Sequence, residues 1–487
     1  MTDKTQADAA SEQTDAAKLE ESAPVITQHK LKLGKTELKY STHVGLMPLK
    51  NDQGEIEAEM FYTAYTLDGK GKPGKRPLTF VFNGGPGSSS VWLHLGALGP
   101  KRVKMHDEGW MPAPPYKLVD NPHTWLDQTD LVFIDPVGTG FSRAAKPDGA
   151  QKYWSLQGDI ESVGTFIRMF LTRYERWASP LFLAGESYGT TRAAGVAGHL
   201  IEKGIAFNGL ILISTVLNFQ TLRFTHGNEL PYALYLPTYT ATAWYHGKLP
   251  DDLAAKPLRD VLDEVEAWAE NEYTVALMKG DKLSADERAE VITRLARYTG
   301  LNPQFIDNGG LGINIMLFCK ELLRDQKRSV GRLDSRFKGI DAAAVTMTFD
   351  HDPSYSAIMP PYTAMFNDYI RRDLKYQTDR EYEILSFEVF SKWEYQRGEF
   401  PDTSEAMRKA LAQNPYMQLL ICTGYYDLAT PHFATQYTLN HTRIDPELRG
   451  NIHTADYSAG HMFYLDVKSL AKFKDDVSAF FGVALKD

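Results

Sequence analysis

Cysteine is almost absent: Cys319 and Cys422 are the only two in 487 residues. No disulfide framework can be built from that pair. Both sit in apolar runs, Leu317-Phe318-Cys319 and Leu420-Ile421-Cys422, which reads as small buried hydrophobes rather than redox groups. Basic charge is also in deficit. The chain carries 53 Lys and Arg against 62 Asp and Glu, for a net charge of −9. That argues against a general nucleic-acid binder, which needs a basic face. No apolar run reaches ~18 residues, so no membrane span is expected. Residues 1–24 are rich in Asp, Glu, Ala, Thr and Gln and lack the apolar core of a secretory signal. A disordered tail is expected over residues 1–25. The chain as it stands reads as cytoplasmic, or as periplasmic or secreted if a signal has been removed. Metal-ligand spacings such as H-E-x-x-H and C-x-x-C are missing too, so neither metal nor cofactor is expected.

What is present is a series of short apolar runs that end in Gly or Pro. Leu78 to Phe82 precedes Asn83-Gly84-Gly85, Leu131 to Ile134 precedes Asp135-Pro136, Leu181 to Ala184 precedes Gly185, and Leu419 to Cys422 precedes Thr423-Gly424. A fifth run, Leu210 to Ile213, ends at Ser214. Continuous apolar strands with helical segments between them predict an α/β chain. Its central sheet is mostly parallel and covered by helices on both faces. Upstream, Leu31, Leu33, Leu38 and Tyr40 alternate around Gly34-Lys35 as a β-hairpin, and a further strand is expected over Ala58 to Tyr65. Asp68 to Lys75 reads as an exposed connection. From about Gln220 to Asn414 the apolar strands stop. That stretch is aromatic-rich, with helices expected over Asp251 to Lys279 and Ala285 to Tyr298. The organisation read from this is a tail (1–25), the first part of the sheet domain (26–219), a mainly helical cap insertion (220–414) and the second part of the sheet domain (415–487).

Gly185-Glu186-Ser187-Tyr188-Gly189 matches G-x-S-x-G. An apolar strand precedes it. A helix follows, with Ala193, Val196, Ala197, Leu200 and Ile201 on one face and Gly204 as a stop. Strand, sharp turn and helix form the setting of a nucleophile elbow in the α/β-hydrolase fold, with Ser187 as nucleophile. The bland alternative is a glycine-bounded turn with Ser187 as an ordinary helix N-cap. A nucleophilic serine needs a base, and the base needs an orienting acid, in the chain order Ser, acid, His. Asp427 stands just past the Leu419 to Cys422 run and suits the acid; on position alone it could equally be a solvated turn carboxylate. His461, in Ser458-Ala459-Gly460-His461-Met462, suits the base, with His453 as its local competitor among 13 histidines. The loop Asn83 to Ser90 lacks the Lys-Ser/Thr pair of a phosphate cradle. It follows an early strand, where this fold places its second oxyanion donor.

Together these pieces resemble the serine carboxypeptidase family, in its bacterial-type branch. Asn83 to Ser89 is similar to that family's oxyanion loop, Asp135 to Ser142 to its second signature, and Gly185 to Gly189 to its elbow, with a Glu before the nucleophile. Gly424 to Asp427 and Gly460 to Met462 resemble its acid and base loops. The resemblance covers roughly Leu78 to Phe219 and Met417 to Phe481. It implies that the backbone N–H groups of Gly85 and Tyr188 hold an oxyanion, and that Asn83 and Glu186 bind the carboxylate at a peptide's C-terminus. A protonated Glu can donate a hydrogen bond to a carboxylate, whereas an ionised one repels it, so acid pH should favour the reaction. The competing reading of Glu186 is a solvated first-turn helix acid. Three departures stand out. Ser88 replaces the family's loop cysteine, Val81 its tryptophan, and Ala97 stands before Leu98-Gly99-Pro100 where the family carries a second Glu.

The expected activity is that of a serine-type carboxypeptidase acting on peptides through an acyl-enzyme. Esterase or acyltransferase chemistry on the same scaffold is the alternative, and a non-catalytic binding scaffold is a third. The partners expected are a peptide substrate, no nucleic acid and no membrane, and the resemblance allows a homodimer.

Overall fold

Alternation of apolar and polar residues on either side of Gly34 builds the first hairpin, β1 (Val25–Leu33) and β2 (Thr36–Lys50). β3 (Ile56–Leu67) pairs antiparallel with β2. Pro48 lies inside β2, but β1 reaches only as far as Val44, so the N–H that proline lacks is not missed by a neighbour. The computed structural model describes residues 21–69, 74–395 and 398–486. Most of the expected tail, and residues 70–73 of the expected connection, lie outside the described residues.

The apolar runs become β4 (Leu78–Phe82), β5 (Asp130–Ile134), β6 (Leu181–Glu186), β7 (Gly209–Ile213) and β8 (Gln418–Gly424). A last strand, β9 (Ile452–Tyr457), completes the order β1-β2-β3-β5-β4-β6-β7-β8-β9. From β5 to β9 every pairing is parallel. Each inner strand is apolar on both sides, and alternate residues feed two cores. Phe80, Leu183, Leu212 and Ile421 pack with helices α1 (Leu156–Arg173) and α2 (Tyr188–Ile201). On the other face, Val81, Phe182, Ile211 and Leu420 pack with helices that come later in the chain. This is an α/β-hydrolase fold.

Between β7 and β8 the chain is mostly helical. α3 (Leu230–Tyr245) runs through a separate apolar cluster with Trp268, Tyr273, Tyr298 and Phe318. The single helix expected over Asp251 to Lys279 is not continuous. Asp251–Ala254 forms one turn, Leu258–Trp268 a second helix, and Ala269–Tyr273 a wider turn leading into Thr274–Lys279. Pro257 stands at the break, capping the start of the second helix, where the N–H it lacks is not needed. α4 (Ala285–Thr299) is closed at its start by a reciprocal Ser284–Glu287 cap. α5 (Pro353–Arg372) returns to the second face of the sheet, where α6 (Val467–Ala484) also packs. Cys319 and Cys422 are both free and buried. No helix among the described residues is long and apolar enough to cross a membrane.

Candidate active site

The carboxyl ends of parallel strands are where an open α/β sheet gathers its functional loops. Asn83 follows β4, Ser187 follows β6, Ser214 follows β7, Asp427 lies three residues past β8, and His461 lies four past β9.

Ser187 sits between β6 and α2 at φ 60°, ψ −131°, a left-handed backbone that costs a non-glycine residue energy and persists only where its surroundings impose it. The flanking glycines are required by close approach. A Cβ on Gly185 would stand 2.1 Å from the Gly189 carbonyl oxygen. The Asn83 loop is pressed against the same turn, since a Cβ on Gly84 would lie 2.5 Å from the Tyr188 nitrogen. Ser187 occupies the N-cap position of α2, yet its side chain makes no capping hydrogen bond. Its backbone N–H is held by Ile213 O at 2.9 Å. The hydroxyl is thus left to a cavity of about 470 Å³.

That cavity is lined by Asn83, Gly85, Glu186, Ser187, Tyr188 and His461, among mostly apolar and aromatic neighbours. Asp427 stands behind His461 and is 0% exposed, so it is no solvated turn carboxylate. Its Oδ2 lies 2.7 Å from His461 Nδ1. A carboxylate can only accept, so Nδ1 carries the proton. Asp427 also accepts from the N–H groups of Ala429 (2.7 Å) and Thr430 (3.0 Å) and from the Thr430 hydroxyl (2.7 Å). Burial pushes the His461 pKa down, but the Asp427 charge, its hydrogen bond and the nearby Glu186 outweigh burial and leave it raised. Among the described residues no hydrogen bond joins the Ser187 hydroxyl to His461; the two meet as walls of one cavity. Such bonds often close only once substrate is bound. His453 is elsewhere: it lies in β9, bonded to Gln418 at 3.0 Å.

Gly85 and Tyr188 face the cavity together. As the first residue of α2, Tyr188 has no helical carbonyl four residues back for its N–H. Asn83 accepts the Leu93 N–H at 3.0 Å, while its Nδ2 is buried with no hydrogen-bond partner. Glu186 is the last residue of β6, not a solvated helix acid; it is 3% exposed. Burial raises its pKa to about 7, opposed by the His461 charge, the Tyr464 hydrogen bond and the nearby Asn83 amide, which lies outside hydrogen-bond geometry. The Tyr464 hydroxyl donates to Glu186 Oε2 at 2.6 Å.

Sequence reasoning missed several supports. Tyr464 is one, three residues past the base with no pattern to mark it. Arg192 is another: buried in α2, it donates to the Asn83 carbonyl (2.6 Å) and to Asp159 (2.8 Å), which also accepts from the Tyr188 hydroxyl. A third is the segment 332–336 of the insertion, which ties the acid and base loops. Arg332 O accepts from Leu428 N–H, Leu333 O from His461 N–H, and Asp334 from Gly460 N–H. Asp334 is paired with Arg336, whose guanidinium reaches Ser458 O. Asp135, from the second signature, accepts the Ser90 N–H at 2.8 Å and so pins the Asn83 loop from below.

Among known proteins, residues of this chain are 34% identical over 157 positions to the pheromone-processing carboxypeptidase KEX1 of Saccharomyces cerevisiae, covering 30% of this chain and 20% of that protein. Serine carboxypeptidase-like 50 of Arabidopsis thaliana is 28% identical over 266 positions, 53% of this chain and 52% of that protein. The chain therefore matches about a fifth to a half of the length of these relatives. The crystal structure of a prohormone-processing carboxypeptidase, Kex1(delta)p from S. cerevisiae, superposes with a TM-score of 0.55 at 17% identity, covering 91% of each chain; this likeness speaks to the fold. The profile of the serine carboxypeptidase family matches residues 34–463, and the chain belongs to that family.

Proposed function

We propose that the protein is a serine-type carboxypeptidase. Ser187 attacks the carbonyl of the last peptide bond as His461 takes its proton, and His461 then passes that proton to the leaving amine. Asp427 holds the imidazole in the tautomer that leaves Nε2 free to act as base. The N–H groups of Gly85 and Tyr188 stabilise the oxyanion, a contribution of about 10²–10³ in rate per donor. Water then releases the acyl group.

The observation that carries this reading is the pairing of a buried, unpartnered Asn83 Nδ2 with Glu186, whose pKa is raised to about 7, both walls of the cavity that holds Ser187. A buried donor left without a partner is costly. A substrate carboxylate would satisfy it and, below neutral pH, would accept from the Glu186 carboxyl as well. The test compares an N-blocked dipeptide with a free C-terminus against its C-terminal amide and ester. The free acid should be cleaved at least ~10-fold more efficiently than the amide, the size of one charge-assisted hydrogen bond. Equal turnover of acid and amide, with faster turnover of the ester, would assign the chain to ester chemistry instead.

A further inference from the structure

Among the described residues, the charged groups that line the cavity are few: Glu186, His461 and two arginines, Arg223 and Arg332. The arginines are exposed, whereas Asn83 and Glu186 are buried. The cavity thus has a closed end that suits a C-terminal carboxylate and an open end that carries guanidinium groups. Among the described residues neither arginine forms an ion pair with a carboxylate. Arg223 lies over the rings of Phe219 (5.5 Å) and Tyr395 (5.6 Å). Asp352 accepts the Arg332 backbone N–H at 3.3 Å but forms no ion pair with its guanidinium. The Arg332 backbone is held beside the acid loop, because its carbonyl accepts from Leu428, the residue after Asp427. In a chain of net charge −9, a cation pair at a cavity mouth with low-dielectric aromatic walls focuses a positive field on whatever enters.

From this arrangement we infer that the enzyme selects peptides with an acidic side chain in the acyl part, next to or just before the scissile bond, and that Arg223 and Arg332 set this preference. The inference rests on the carboxypeptidase reading above. An exopeptidase holds the C-terminus at the closed end, so the chain leading out through the mouth is the N-terminal portion, and that portion meets the arginines. Guanidinium groups pair with carboxylates through parallel N–H donors, which gives geometric selection as well as attraction.

The experiment measures kcat/KM at pH 6 for three N-blocked dipeptides that share a C-terminal Phe and differ in the preceding residue: Glu, Gln or Lys. Exposed charge pairs are worth roughly 1.4- to 5-fold each, so Glu should exceed Gln by roughly 2- to 25-fold, with Lys lowest. The Glu-to-Gln ratio should shrink on going from low salt to 0.5 M NaCl, as screening requires. In the double variant Arg223→Glu, Arg332→Glu, the order of Glu and Lys should reverse. A Glu-to-Gln ratio within 2-fold of unity while both are cleaved would overturn this inference and leave the carboxypeptidase reading standing. So would an unchanged Glu-over-Lys order in the double variant. A preference seen equally for a Glu placed at the C-terminus would overturn the assignment to the acyl part. Failure to cleave any of the three, with Ser187 still labelled by an organophosphonate, would overturn the carboxypeptidase reading and this inference with it.

Discussion

Replacing Glu186 by Gln removes a titration while keeping nearly the same shape, so it isolates what the proton does. Burial holds the Glu186 carboxyl neutral up to about pH 7. If only the protonated form accommodates a substrate carboxylate, the binding-competent fraction is nearly complete at pH 5 and roughly one in ten at pH 8. KM for a free-acid dipeptide should then rise roughly tenfold between those pH values. The substrate's own carboxylate is ionised throughout, so it adds no slope. A C-terminal amide should show no such rise, because it brings no charge to repel. In Glu186→Gln the slope should vanish for the free acid too, since the amide donates a hydrogen bond at every pH. kcat should move the other way: His461 must be neutral to act as base, and its raised pKa means that kcat falls as pH drops below that value. Steady-state kinetics of both substrates on both proteins, from pH 5 to 8, separates the two trends. A wild-type KM that stays flat for the free acid, or a variant that keeps the wild-type slope, would refute the role given to the proton.

Asp427→Asn should lower kcat by about 10⁴ with little change in KM, because the amide can present its N–H to Nδ1 and favour the wrong tautomer; single-turnover acylation measures it. Gly185→Ala should cost several kcal/mol or prevent folding, since its Cβ would meet a backbone oxygen at 2.1 Å that no side-chain rotation can relieve; thermal melting decides. Asp334→Asn should leave the fold intact but loosen the bridge between the two loops, lowering kcat by roughly 10- to 100-fold with a smaller effect on KM. Glu186 also affects stability. Its folded pKa is raised above the unfolded value, so its contribution is full in acid and is lost as pH rises through about 7. The melting temperature of the wild type should therefore fall more from pH 5 to pH 8 than that of Glu186→Gln.

The strands that position Ser187 were legible because they are buried on both faces. A two-sided strand such as Leu181 to Ala184 must be apolar at every residue, and its end is marked where glycine is needed for close approach. β9 escaped the same reading. It is an edge strand paired only with β8, so Ile452 to Tyr457 keeps a polar, partly exposed face and carries no apolar run. The helix expected over Asp251 to Lys279 spans Pro257 and breaks there, and the wide turn at Ala269–Tyr273 keeps Trp268 and Tyr273 stacked at 5.4 Å where a regular helix would rotate them apart. Of the candidate site, the loop residues carried their own glycine-rich signals. Arg192, Tyr464 and the segment 332–336 carried none, because each acts through a contact more than 100 residues away in sequence. Such contacts exist only once distant parts of the chain have folded together.

Where the resemblance places a second Glu, this chain has Ala97, and the distant contact beside Glu186 is Tyr464. Two acids facing each other share a proton, because like charges in a buried site cannot both ionise. Here Ala97 lies buried in the turn after the Asn83 loop, and Tyr464 lies over Gly96 and bonds to Glu186. A phenol that donates to Oε2 occupies a lone pair of Glu186 and leaves the carboxyl's own proton unclaimed. It therefore fixes the orientation of Glu186 without competing with a substrate for the hydrogen bond that Glu186 can give. It also tends to favour the ionised form, so the raised pKa rests on burial. Removing the Tyr464 hydroxyl would then free the carboxylate's rotation while raising its pKa further. Under the proposed carboxypeptidase reading, recognition of a C-terminal carboxylate would therefore depend on one acid, one amide and the burial of both.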